Sequence, residues 1–130
     1  MKSKQVIVMR KDLNMRKGKM VAQGAHASLK VFLDRQITTS NEGFYRTYEM
    51  TSQSMIDWIE GSFTKICLGA DSEAELDELY EKAKAAGLPC SMIVDNGLTE
   101  FNGIKTKTCI AIGPADSDSI NNITGYLKPL

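Results

Sequence analysis

Lysine, aspartate and threonine are the chemically capable side chains of this sequence, and they gather in three short stretches. Lys17 and Lys19 stand in "RKGKMVAQGAH", Asp95 and Thr99 in "DNGLT", and Thr106 and Thr108 in "TKT". None of these is a strong nucleophile. A lysine can hold a developing oxyanion, a carboxylate can orient or deprotonate a water, and threonine hydroxyls can position that water or the substrate. Such a set suits an activated bond such as an ester, whose leaving group is far better than an amine. Other chemistries lack their parts. There is no Walker loop, no GxGxxG after the first apolar run, and no GxSxG on which His26 could complete a triad. One histidine and three cysteines (Cys67, Cys90, Cys109) without a CxxC pair do not make a zinc site. The cysteines read as reduced, buried, small hydrophobes.

Charge narrows the substrate. The chain has 130 residues and zero formal net charge. Residues 1–36 nevertheless hold nine Lys or Arg against two acids, and the remainder holds seven against fourteen. A polarised protein can bind a polyanion on one face and stay soluble. The basic residues crowd the start of a helix, where free N–H groups and partial positive charge already favour phosphate. A basic crevice beside an ester-cleaving site fits an ester attached to nucleic acid.

The elements that must position these residues are legible in the pattern. "QVIVMR" (5–10) reads as a buried strand and is too short for a signal-peptide core. A helix is expected from Lys19 to about Asp34. Val21, Ala22, Ala25, Leu29, Phe32 and Leu33 form its apolar face toward a sheet, and Lys19, Gln23, His26 and Lys30 form a polar stripe. Residues 36–48 read as a loop, and 52–61 as a short helix with Met55, Ile56 and Ile59 apolar. Residues 63–70 read as a strand. "DSEAELDELYEKAKAAGLP" is a capped helix with Leu76, Leu79, Tyr80 and Ala83 on one side. Strands follow at 90–95 and 106–113, the last stopped by Gly113-Pro114, and a short helix near "DSDSINNI" ends the pattern. The order β-α-α-β-α-β-β-α predicts one α/β domain over residues 1–130. Its central sheet is covered on both faces, its first three strands run parallel and its fourth can run antiparallel. Sites in such sheets gather at strand carboxyl ends. If their strands are parallel neighbours, Lys17 and Asp95 face one crevice. The chain has no apolar run long enough to span a membrane, so a cytoplasmic protein is expected.

Two blocks carry a family resemblance. "DLNMRKGKMVAQGAHA" (12–27) resembles the lysine-rich loop and first helix of the type 2 peptidyl-tRNA hydrolases. "DNGLTEFNGIKTKTCIAIGP" (95–114) is similar to their second block. The resemblance implies a three-layer α/β/α sandwich with a four-stranded mixed sheet, usually dimeric. It implies metal-independent hydrolysis, with no cofactor, of the ester between a peptide and tRNA. The family's proposed catalytic residues map onto Lys17, Asp95, Thr99 and Thr108. Contacts to the tRNA would fall to Arg16, Lys19, Gln23, His26, Lys30, Thr106 and Lys107. Two departures stand out: Glu100 replaces a frequent Gln, and "NGIK" replaces a Pro-Gly. The alternative is a non-catalytic tRNA- or RNA-binding module of the same fold. A flavodoxin-like nucleotide binder would need a glycine-rich loop that is missing.

Overall fold

The computed structural model describes residues 2–40 and 43–130. In chain order its elements are β1 (Ser3–Arg10), α1 (Lys17–Leu33), β2 (Gln36–Ser40), β3 (Tyr45–Tyr48), α2 (Gln53–Glu60), β4 (Lys65–Ala70), α3 (Glu73–Ala85), β5 (Cys90–Asp95), β6 (Thr106–Asp116) and α4 (Ser117–Thr124). Four strands form the main sheet in the order β4-β1-β6-β5. β4 pairs parallel with β1, whereas β6 pairs antiparallel with both β1 and β5. The strands β1, β4 and β5 therefore run one way and β6 runs against them, which makes the sheet mixed as expected.

Alternation along β1 divides the core into two layers. Val6 and Val8 join Leu76, Leu79 and Ala83 of α3 and Ile120 and Ile123 of α4. Ile7 and Met9 join Ala27 and Val31 of α1. The helix α2 shares the α1 side, where Trp58 stacks on Phe32 with ring centroids 6.0 Å apart. The result is a three-layer α/β/α arrangement. α3 shows why its sequence is so readable. Ser72 accepts a hydrogen bond from the Glu75 amide, acids open the helix, lysines close it, and Leu76, Leu79 and Ala83 are buried.

Four expectations are corrected. First, α1 does not turn its apolar stripe to the sheet. Gln23, Gly24, Ala27 and Val31 are its buried residues, while Val21 is 72% and Leu29 58% exposed. Small and polar residues let the helix settle close enough for the sheet to bond its backbone. Cys109 Sγ, Ser91 Oγ and Gln5 Nε2 donate to the carbonyls of Gln23, Ala27 and Ser28 at 3.3, 2.7 and 3.3 Å. Second, residues 36–48 are not a plain loop. Their β-branched and aromatic halves pair as the β2–β3 hairpin, with Asn41 and Glu42 of that stretch outside the described residues. Third, β6 does not stop at Gly113-Pro114. A register shift opposite Gln5 absorbs the proline, which has no N–H to give, and pairing resumes at Ala115. Fourth, only Cys109 is buried; Cys67 is exposed and Cys90 half-buried.

The two edges of the sheet differ. The outer side of β4 is bonded to residues 128–130: Gly69 N donates to Lys128 O at 3.1 Å and Leu130 N to Cys67 O at 3.0 Å. β5 is the opposite edge, and among the described residues it pairs only with β6.

Candidate active site

The carboxyl ends of β1 and β5 open on the same side of the sheet, but β6 lies between them. The first end is held by Arg10. Its guanidinium donates to both carboxylate oxygens of Asp12, at 3.0 and 2.6 Å, and to the Lys107 carbonyl at 3.0 Å. The buried side chain of Met15 then pins the loop before α1 enters. The second end is shaped by Asp95 and Gly97. Asp95 Oδ2 accepts from the Gly97 amide at 2.9 Å, an Asx turn. Gly97 has φ +83° and sits against Ile104, where an added Cβ would fall 2.3 Å from the carbonyl oxygen. Only glycine fits that approach. Phe101–Ile104 makes a tight turn with Asn102 and Gly103 both in the left-handed region. That is the physical role of the unusual "NGI" stretch.

Between these ends lies one connected set of hydrogen bonds. Lys19 Nζ donates to Asp95 Oδ1 at 2.9 Å and to Thr99 Oγ1 at 2.7 Å. Gln23 Nε2 donates to the same Asp95 oxygen at 3.3 Å, and Thr108 Oγ1 donates to Gln23 Oε1 at 2.5 Å. The Lys19 and Asp95 side chains are only 14% and 11% exposed. The Lys19 hydrogen bond, with help from the Gly97 amide, holds the Asp95 carboxyl below its ordinary range against the opposing cost of desolvation. A lysine has three N–H donors. Asp95 and Thr99 take two of those on Lys19, and among the described residues the third has no acceptor.

The sequence-derived residues do not all meet here. Lys17 leaves α1 on nearly the opposite flank from Lys19, since two residues turn the helix by about 200°. It is exposed and borders an apolar groove instead. Lys19 occupies the place that sequence reasoning gives to Lys17, and the polar-stripe arithmetic already grouped it with Gln23. Thr108 is fully buried and reaches the crevice only through Gln23. Thr106 donates to the Ile104 carbonyl at 2.8 Å. Lys107 points to the other face of the sheet and pairs with Asp77 at 2.9 Å. Thr108 and Cys109, though adjacent, both face α1, because a register shift in the β5–β6 ladder breaks the alternation there. Arg16, at the N-cap of α1, lies 3.7 Å from Glu100. His26 is exposed, and Lys30 pairs with Asp34 at 2.8 Å. Much of the basic excess of residues 1–36 is thus paired locally: Arg10 with Asp12, Lys11 with Asp71, Arg16 with Glu100, Lys19 with Asp95 and Lys30 with Asp34. Among the described residues, no three His, Cys, Asp or Glu side chains converge in a metal-binding group.

Sequence comparison matches residues 3–130 to the family model described as Peptidyl-tRNA hydrolase PTH2. The chain belongs to this family. Among curated relatives, the peptidyl-tRNA hydrolase of Methanocaldococcus jannaschii is 40% identical over 127 residues, covering 98% of this chain and 99% of that protein. The Sulfurisphaera tokodaii peptidyl-tRNA hydrolase is 40% identical over 130 residues, all of both chains. A solved Agrobacterium protein of unknown function is similar at a TM-score of 0.59 and 10% identity, covering 100% of this chain and 98% of that one, which speaks for the fold alone. Phe101 and Gly97 are site-shaping residues that the residue types alone did not flag. Lys19 Nζ lies 5.7 Å from the Phe101 ring centroid, and the Asn-Gly pair after Asp95 was the available signal for the turn.

Proposed function

We propose a division of labour within this peptidyl-tRNA hydrolase, carried by one observation: Lys19 is clamped between Asp95 and Thr99, and among the described residues its third N–H has no acceptor. The enzyme cleaves the ester between a peptide and the tRNA 3′ ribose. The free N–H of Lys19 stabilises the oxyanion that forms when water attacks the ester carbonyl. Asp95 orients that water. Its lowered pKa makes it a weak base, so its task is placement and charge rather than full proton removal. The water proton finally resides on the departing ribose oxygen. Thr99 fixes the ammonium, Gln23 fixes the carboxylate, and Thr108 fixes Gln23.

The tRNA phosphates fall to Arg16, Lys17 and the open N-terminus of α1, whose first turn carries no acid. A phosphate that engages Arg16 must draw it from Glu100. The non-catalytic binder has no observation in its favour, since a carboxylate clamped into a phosphate crevice does nothing for a pure binder. No described helix is long and apolar enough to cross a membrane, and we place the enzyme in the cytoplasm with its substrate. We further propose a homodimer. Val21, Ile59 and Phe63 are exposed along a groove of about 990 Å³ between α1, α2 and β4. A second copy of the chain, carrying the same apolar face, is the occupant that makes both faces dry.

The test is cleavage of a labelled N-acylaminoacyl-tRNA in EDTA by the parent and by Lys19→Ala, Lys17→Ala and Asp95→Asn. Cleavage by the parent and the Lys17 variant with loss in the other two is expected. Full turnover by Lys19→Ala would overturn the assignment.

A further inference from the structure

The open edge of the sheet runs straight into the active site. β5 covers six residues and ends on Asp95. Its inner side pairs with β6, and among the described residues no hydrogen bond reaches the backbone on its outer side. Six residues of strand span roughly 20 Å. Beside this edge, Ala25, His26, Leu29, Lys30 and Leu33 of α1 and Ile93 of β5 line a depression of about 370 Å³. On the other face, Cys90 and Met92, like Tyr80 of α3, pack against the core between the sheet, α3 and α4. The opposite edge of the sheet, in contrast, is already bonded to residues 128–130.

We propose that the peptide of the substrate binds as an added strand on the outer edge of β5. The proposal rests on Asp95 and Lys19 marking the reaction centre, and it names how the acyl half of the substrate is held there. The ester carbonyl is the C-terminal end of the peptide, so that end must lie at Asp95. β5 runs from Cys90 to Asp95, so the peptide lies parallel to it, with its earlier residues toward Cys90. Main-chain pairing of this kind takes an extended peptide of any sequence. That is what an enzyme facing arbitrary peptides needs, and a deep side-chain pocket would defeat it. The alternating side chains of an extended peptide point to opposite faces. Every second one enters the depression beside His26, whose walls of Ala25, Leu29, Leu33 and Ile93 favour apolar residues.

The test uses the unaltered enzyme and varies the substrate. An N-acetylaminoacyl-tRNA is compared with di-, tetra- and hexapeptidyl-tRNAs, and with tetrapeptidyl-tRNAs carrying one N-methylated amide at each position in turn. The expected result is a kcat/KM that rises about fivefold for each backbone pair gained, at about one net hydrogen bond each, and levels off once the peptide outruns β5. N-methylation is expected to hurt at alternate amides only. Equal kcat/KM for acetylaminoacyl and tetrapeptidyl substrates, or an N-methyl penalty without a period of two, overturns the edge proposal while leaving the reaction centre standing. Failure to cleave even the acetylaminoacyl substrate overturns the reading of the reaction centre on which the proposal depends.

Discussion

Lys19 and Asp95 are a pair whose worth comes from burial. In open water such an ion pair contributes little; here both side chains are nearly covered and share Thr99 and Gln23. Lys19→Ala is expected to lower kcat by roughly 10²–10³, the usual loss for one oxyanion donor. Lys17→Ala, on the opposite flank, is expected to leave kcat near the parent's, to raise KM most at low salt and to flatten the salt dependence of KM. Steady-state kinetics on the two variants separates them. The pH dependence follows from the lowered Asp95 pKa. A carboxylate with a depressed folded value stabilises the fold above its unfolded pKa of about 3.9. That contribution is lost as pH falls through the lower folded value. Asp95→Asn is therefore expected to show a shallower loss of stability in acid than the parent. Urea midpoints at neutral pH and near pH 3 measure the difference.

At the scale of elements, the loop after β5 and the seating of α1 decide whether those side chains meet. Gly97→Ala would drive a Cβ into the Ile104 backbone, so the loop must shift and carry Thr99 away from Lys19. A drop of at least tenfold in kcat, with a folded circular-dichroism spectrum, is the expected outcome. Ser91→Ala removes the bond to the Ala27 carbonyl and is expected to cost about 1 kcal/mol in urea unfolding. These elements also show what a sequence can disclose. The strands at 5–10 and 90–95 and the capped helix near 73–85 are local events, written in β-branched runs, a Ser–Glu cap and a closing glycine. The side of α1 that meets the sheet was not legible. Hydrophobicity pointed to Val21, Ala25 and Leu29, whereas the close approach is made by Gly24 and Ala27 with bonds from three distant strand residues. The sequence pattern sets Lys17 in a loop before a helix starting at Lys19; α1 starts at Lys17 itself, and the turn of the helix carries Lys17 and Lys19 to different flanks. The bulge in β6 depends on the partner strand's register, which no local pattern encodes.

For the whole molecule, the exposed apolar flank of α1 is the feature that a single copy leaves unexplained. Val21 is 72% exposed and lines the groove that Phe63 and Ile59 border. Val21→Asp is expected to convert a dimer into monomers without unfolding them, because the side chain supports little within its own subunit. Sedimentation velocity reads the change directly; a parent that sediments as a monomer at micromolar concentration overturns the dimer.

The bonds between residues 128–130 and β4 have a practical side. They act as a selvedge, the woven border that keeps cloth from fraying. A protease cut just before Lys128 would free the border and bare the backbone of Cys67–Gly69. Naked strand edges recruit one another. Stored preparations cut before Lys128 are expected to turn cloudy while intact protein stays clear, and mass spectrometry of the precipitate would find the cut chain enriched.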